Sequence, residues 1–206
     1  MIPPRFLYFD LGKVLVNFDV DYMLRQIGAA ARISVEQVRA ALFGNGLMRH
    51  YETGRLTTPE FYRAFCAEVG CRPDFTVLAS AASNIFTLNL PVLPLVAQLR
   101  QAGYPLGILS NTCELHWQQC ADRFRIVAEG FAIHALSYRI QAMKPDAAIF
   151  RAAADLAGRR PEEIFFVDDF AEHVSGARAV GFDAVQFTSA EALAHDLRQR
   201  GLHFNY

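Results

Sequence analysis

Two apolar runs that each end in acid constrain this chain more than anything else in it. Phe6-Leu-Tyr-Phe9 runs into Asp10, and Glu163-Ile-Phe-Phe-Val167 runs into Asp168 and Asp169. Unbroken apolar runs of this length read as strands buried on both faces, which occur at the centre of parallel sheets. From Pro91 onward helical and strand-like stretches alternate, so the expected class is α/β, a doubly wound parallel sheet of Rossmann-like form. Ligands of such sheets bind just beyond the carboxyl ends of the strands. Asp10 is therefore a catalytic or metal-binding candidate, although one aspartate at a turn also reads as a simple cap.

Between the first strand and Pro91 the pattern is helical. Val20, Met23, Leu24 and Ile27 are spaced as one helical face behind a cap at Asp19. Ser34 with Gln37 opens a second helix through Phe43, closed by Gly44 and Gly46. That G-x-G follows no strand and is no dinucleotide loop. Leu47 to Leu56 reads as a polar, aromatic loop; Thr57 and Pro59 start a third helix, and Phe75 to Phe86 forms a fourth. With no strand expected over 19–87, this block is an inserted α-helical cap, and residues 1–18 and 88–206 form the core. The linkers near Asn17 to Asp19 and Leu88 to Pro91 are where a hinge is expected.

The charge balance, 20 basic against 21 acidic residues with no basic cluster, gives no footprint for nucleic acid or an anionic membrane. No apolar run approaches the roughly 18 residues of a membrane span, and no leader pattern precedes the first strand, so a cytoplasmic protein is expected. Cys66, Cys71, Cys113 and Cys120 contain no C-x-x-C pair and read as reduced structural thiols.

Asp10, the run Ser110-Asn111-Thr112, Lys144, and Asp168 with Asp169 all fall at or near strand ends. Carboxylates converging on one crevice repel unless a cation lies between them, and hard oxygen ligands suit Mg²⁺. A lysine and a hydroxyl beside such a cluster suit a phosphoryl group, whose transfer requires charge neutralisation. Each residue alone has a plainer role as cap or turn; their coincidence at successive strand ends favours a site.

Phe9-Asp10-Leu-Gly-Lys-Val-Leu15, Leu109-Ser110-Asn-Thr112, Met143-Lys144-Pro-Asp146 and Phe166-Val-Asp168-Asp169 with Gly176-Ala177 resemble, in order, the four motifs of the haloacid dehalogenase superfamily. Tyr51-Glu-Thr-Gly-Arg-Leu-Thr57 is similar to the specificity loop of members whose helical cap follows the first strand. The pattern looks nearest to sugar-phosphate phosphatases of the glucose-1-phosphate type and to the phosphatase domain of soluble epoxide hydrolases. The resemblance implies a Mg²⁺-dependent phosphatase acting on a small phosphorylated metabolite, as a monomer or homodimer. It makes Asp10 the nucleophile that forms an aspartyl-phosphate. Ser110 would hydrogen-bond the phosphoryl oxygens with Asn111 a further catalytic candidate beside it, Lys144 would offset charge, and Asp10, the Gly12 carbonyl, Asp168 and Asp169 would hold the metal, the last two interchangeably. In the cap, Arg49, His50, Tyr51 and Glu52 are candidates to face the leaving group.

Two positions depart from the family pattern. Most phosphatases of this superfamily carry a second aspartate two residues after the nucleophile, which protonates the leaving group. Gly12 stands there instead, implying a slow enzyme, an undemanding leaving group such as an anomeric phosphate, or a replacement acid from the cap. His173 stands where Asn is common and is expected to orient Lys144 or Asp168, with supply of the missing proton as the alternative. The rivals are 2-haloacid dehalogenase, which needs no metal and lacks the paired acids, and a non-catalytic binding protein on a degenerate phosphatase scaffold.

Overall fold

The computed structural model describes residues 3–206. Its main sheet is built from β1 (Phe6–Phe9), β4 (Leu106–Ser110), β5 (Ile133–Leu136), β6 (Ile164–Asp168) and β7 (Asp183–Gln186), with β2 (Val16–Asn17) and β3 (Thr87–Leu88) lying outside it. The order is β5-β4-β1-β6-β7 and every pairing is parallel. β1 is thus central, as its unbroken apolar run requires, and all four of its residues are buried. Successive side chains of a strand point to opposite faces. Leu7 and Phe9 accordingly enter the core layer that extends under the cap, while Phe6 and Tyr8 enter the opposite layer with Phe150 and Phe166. After β1 the chain builds β4 and β5 on one side, then crosses to build β6 and β7 on the other. The strand order therefore reverses at β1, and the crevice beyond its carboxyl end is the expected ligand position.

The inserted cap holds α1 (Val20–Ala31), α2 (Val35–Arg39), α3 (Leu47–Glu52), α4 (Thr58–Val69) and α5 (Phe75–Ser83). The expected caps form: Asp19 accepts the Tyr22 amide at 3.0 Å, and Ser34 with Gln37 makes a capping box. The second helix ends in a π-helical turn, Ala40–Gly44. Two expectations are corrected. Leu47 to Glu52 is a helix and not a loop, because Leu47, Met48 and Tyr51 share a face that packs inward. Thr87 lies in a strand: β2 and β3 pair antiparallel, Val16 with Leu88 and Asn17 with Thr87, so the two linkers form one ribbon. Strands of two residues are too short to show a period in sequence.

The remaining helices, α6 (Leu93–Gln101), α7 (Glu114–Arg123), α8 (Arg125–Glu129), α9 (Ser137–Ile140), α10 (Ala147–Ala157), α11 (Ala171–Ala179) and α12 (Ala190–Gln199), flank the sheet. No helix among the described residues is long and apolar enough to cross a membrane.

Candidate active site

Asp10 follows β1 directly, and its backbone amide continues the ladder by donating to Val167 at 2.9 Å. Asp10 is 6% exposed, and its Oδ1 accepts from the Leu11 amide at 2.7 Å and pairs with Lys144 Nζ at 2.9 Å. Lys144 Nζ also meets Asp168 Oδ2 at 2.5 Å and the Leu109 carbonyl at 3.1 Å. One fully buried ammonium thus bridges two carboxylates at the ends of neighbouring strands. Burial works against the lysine's charge, but Asp10 and Asp168 outweigh it and hold Lys144 protonated beyond its ordinary range. Burial pushes the Asp10 carboxyl up to about 6; Lys144 opposes the shift and repulsion from Asp168 adds to it.

Asp10, Asp168 and Asp169 offer carboxylate oxygens that all lie within 4.8 Å of one another. Three hard oxygen donors on one partly open crevice fit a divalent cation of the Mg²⁺ kind. The two neighbouring acids differ sharply. Asp168 Oδ1 accepts from the Phe170 amide at 2.8 Å, and His173 Nδ1 lies 3.0 Å from both its oxygens. Burial alone would raise Asp168, yet His173 and Lys144 hold its carboxyl below the ordinary range. Asp169 is half-buried, and burial together with Asp168 raises its pKa. Its carboxylate takes part in no side-chain hydrogen bond among the described residues.

Ser110 ends β4, is 2% exposed, and makes only a 3.4 Å contact to the Asn111 carbonyl. Asn111 clamps the main chain of Lys144: its Nδ2 donates to the Lys144 carbonyl at 2.9 Å and its Oδ1 accepts the Lys144 amide at 2.8 Å. The Asn111 side chain thereby positions the main chain of Lys144. Ser137, unnoticed in the sequence, is fully buried and ties the cap to this loop. Its Oγ accepts the Thr112 amide at 2.9 Å and donates to the Glu52 carbonyl at 2.6 Å.

Of the four cap candidates only Glu52 reaches the crevice. A cavity of about 130 Å³ lies over the strand ends, floored by Gly12, Ser110, Asn111 and Thr112, with Glu52 and His116 on its walls. In α3, Met48 and Glu52 stand four residues apart and face this cavity together. Arg49 and His50 point to solvent. Tyr51 is 2% exposed, stacks on Phe61 at 4.4 Å and bonds Thr58 Oγ1 at 2.7 Å, so it belongs to the cap's interior packing. These three do not line the cavity, because a helix turns them away where a loop would not.

A family model for haloacid dehalogenase-like hydrolases matches residues 9–181, which contain every group described above. The chain belongs to the haloacid dehalogenase-like hydrolases. This hydrolase is 25% identical to a haloacid dehalogenase family enzyme of Bacteroides thetaiotaomicron, with a TM-score of 0.84 over 95% of this chain and 98% of that one. The same Bacteroides enzyme in complex with magnesium and inorganic phosphate aligns at 26% identity, TM-score 0.80, over 93% and 98% of the two chains. Among curated proteins, drimenol cyclase of Aspergillus calidoustus is 26% identical over 97% of the chain, and rat bifunctional epoxide hydrolase 2 is 23% identical over 95%. The hydrolase spans 38% of the length of each of those two relatives.

Proposed function

We propose that this hydrolase is a Mg²⁺-dependent phosphatase that cleaves a small phosphate monoester through an aspartyl-phosphate on Asp10. The observation that carries the reading is Lys144 Nζ held between Asp10 and Asp168 at 2.9 and 2.5 Å, with Asp169 beside them in one acidic cluster. The Bacteroides neighbour crystallised with magnesium and inorganic phosphate supports it. In this reading Asp10 Oδ2, which has no hydrogen-bond partner among the described residues, attacks phosphorus while Lys144 steadies Oδ1 and offsets charge. Ser110 Oγ, without a strong partner of its own, donates to a phosphoryl oxygen. Asp10, Asp169 and the Gly12 carbonyl would hold the metal, and Asp168 would brace Lys144 and the cluster. When bound, Mg²⁺ supplies positive charge against the phosphoryl oxygens.

The leaving-group side of the cavity is walled by Phe18, Val20, Met23, Phe43, Met48 and Phe86. Glu52 and His116 are the polar side chains above the floor, too few to satisfy the hydroxyls of a sugar, each of which costs about 1–3 kcal/mol when buried unpaired. The volume of about 130 Å³ approaches the ~150 Å³ that holds a benzene ring. A sugar phosphate therefore matches less well than the monoester of a compact, largely apolar alcohol. A cytoplasmic setting and action as a monomer or homodimer complete the proposal; the free state of all four cysteines supports the first.

Phosphate release from a panel of alkyl, aryl and sugar monophosphates, with Mg²⁺ and with EDTA, tests the reading. Metal-dependent release that is lost in Asp10→Asn and is fastest with apolar esters is the expected result. Chloride release from 2-chloropropionate without metal would turn the assignment to a dehalogenase. Failure of beryllium fluoride to bind at Asp10 with Mg²⁺ would turn it to a binding protein.

A further inference from the structure

An apolar alcohol is a poor leaving group. Its alkoxide departs readily only if a proton reaches the bridging oxygen as the bond to phosphorus breaks. Gly12 brings no side chain to that position. The room beside it is taken, since a Cβ on Gly12 would stand 2.9 Å from Phe18 Cε1. The proton must come from elsewhere on the cavity wall.

Resting on the phosphatase reading above, we propose that Glu52, projecting from the cap into the leaving-group cavity, is the general acid and base that replaces the side chain absent at Gly12. Glu52 is the only acid among the residues that line this cavity. Its carboxyl group takes part in no hydrogen bond among the described residues, so its proton is free for a ligand. Its main chain is anchored: the Glu52 carbonyl accepts from buried Ser137, which also holds Thr112 on the cavity floor. Two residues on, Gly54 at φ +66° lies so close to the core that a Cβ there would overlap the Tyr138 carbonyl oxygen. The cap acid is thus fixed to the β4 and β5 strand ends that carry Ser110 and Ser137.

The protonation state agrees. Burial pushes Glu52 up to about 7, and Arg49 on the same helix only partly opposes the shift. The titratable groups that approach from the core are Cys113, whose thiol burial raises well above neutrality, and His116 on α7. On α9, Arg139 pairs with the Tyr138 hydroxyl at 3.0 Å. His116 is the rival donor, and its chemistry excludes it. Burial lowers it to about 4, so it is neutral, and its Nε2 lies 3.2 Å from the Ala82 carbonyl, which occupies the one proton it holds.

The steps balance. As the Asp10 oxygen bonds to phosphorus, the bond from phosphorus to the alcohol oxygen breaks, and the Glu52 proton goes to that oxygen. Water then enters and Glu52, now a carboxylate, takes its proton while the oxygen attacks phosphorus. The Asp10–phosphorus bond breaks, releasing phosphate and restoring both acids.

Single-turnover measurements on Glu52→Gln, with phenethyl phosphate and with 4-nitrophenyl phosphate, separate this role from others. Nitrophenolate leaves without a proton. Release of phenethyl alcohol is expected to fall by roughly 10²–10⁴-fold, while the first-turnover release of nitrophenol stays within about threefold of wild type and the second turnover slows. The wild-type phenethyl rate is expected to fall as pH rises past about 7, and the variant to lack that limb. Equal loss on both esters, or no loss on either, would overturn the role of Glu52. A wild type that hydrolyses neither ester with Mg²⁺ would instead overturn the phosphatase reading, and this role with it.

Discussion

The ring of Phe18 occupies the space beside Gly12 into which a side chain would extend, with Cε1 2.9 Å from an ideal Cβ. The ring is itself held, lying under Lys13 Nζ at 4.6 Å and against Phe86 at 5.9 Å. The absence of an acid at position 12 is therefore built into the packing of the cap linker.

Gly12→Asp, which puts an aspartate where most phosphatases of the superfamily carry one, is expected to destabilise the fold by about 1–3 kcal/mol through overpacking. Urea denaturation checks this. Combining it with Phe18→Ala should recover part of the loss, and only the double variant should gain activity on alkyl phosphates.

Lys144 is fully buried between two carboxylates. Lys144→Met removes the charge that both rely on and should cost about 3–5 kcal/mol, as breaking a buried pair does. Asp168→Asn added to it should cost less than the sum of the single changes. Equilibrium denaturation of the four proteins closes that cycle, and Mg²⁺ should stabilise Lys144→Met more than wild type.

His173 lies 3.0 Å from both oxygens of Asp168, close enough to fix the acid that braces the lysine. Because Asp168 in the proposed site braces the cluster and does not itself hold the metal, His173→Ala should weaken Mg²⁺ affinity by less than the loss of about 10–100-fold that follows removal of a direct ligand's partner. Calorimetric titration with Mg²⁺ measures it without reference to turnover.

Glu52 has a folded-state pKa of about 7 against an ordinary 4.5. Its folded form holds a proton that the unfolded chain releases, so its contribution to stability is full below about 4.5 and is lost as pH rises through 7. Wild type should lose up to about 1–3 kcal/mol over that window relative to Glu52→Gln, because each tenfold difference in proton affinity between folded and unfolded chain is worth about 1.4 kcal/mol. Asp10 moves in the same direction, so the comparison with the variant, and not the wild-type slope alone, isolates Glu52. Urea denaturation of both proteins between pH 4 and 8 makes that comparison.

Much of this molecule is legible along the chain. Phe6 to Asp10 and Ile164 to Asp169 announce buried strands ending in acid, and the alternation after Pro91 announces the parallel sheet. Asp10, Ser110 and Asp168 fall at strand ends because an unbroken apolar run in a parallel sheet has one place to go, the centre, and its end has one neighbourhood, the crevice, whereas Lys144 enters that crevice from the turn between α9 and α10 and not from the expected strand end. The helix Leu47–Glu52 is hidden, since six residues with two aromatic or charged pairs carry too little period to separate a short helix from a loop.

Local pattern along the chain is enough for the fold class and for which strand ends carry acid, because those depend on hydrophobic periodicity and on the residue that follows each run. Which side chains share one cavity depends on packing between segments far apart in sequence. Only the folded chain separates Asp168, clasped by Lys144 and His173, from Asp169, whose carboxylate is free of them. Only it turns Arg49, His50 and Tyr51 away while bringing Glu52 over Ser110 and Gly12. The physical reason is that a side chain's direction follows from its backbone and its neighbours in space, and neither is written in the residue's own position along the chain.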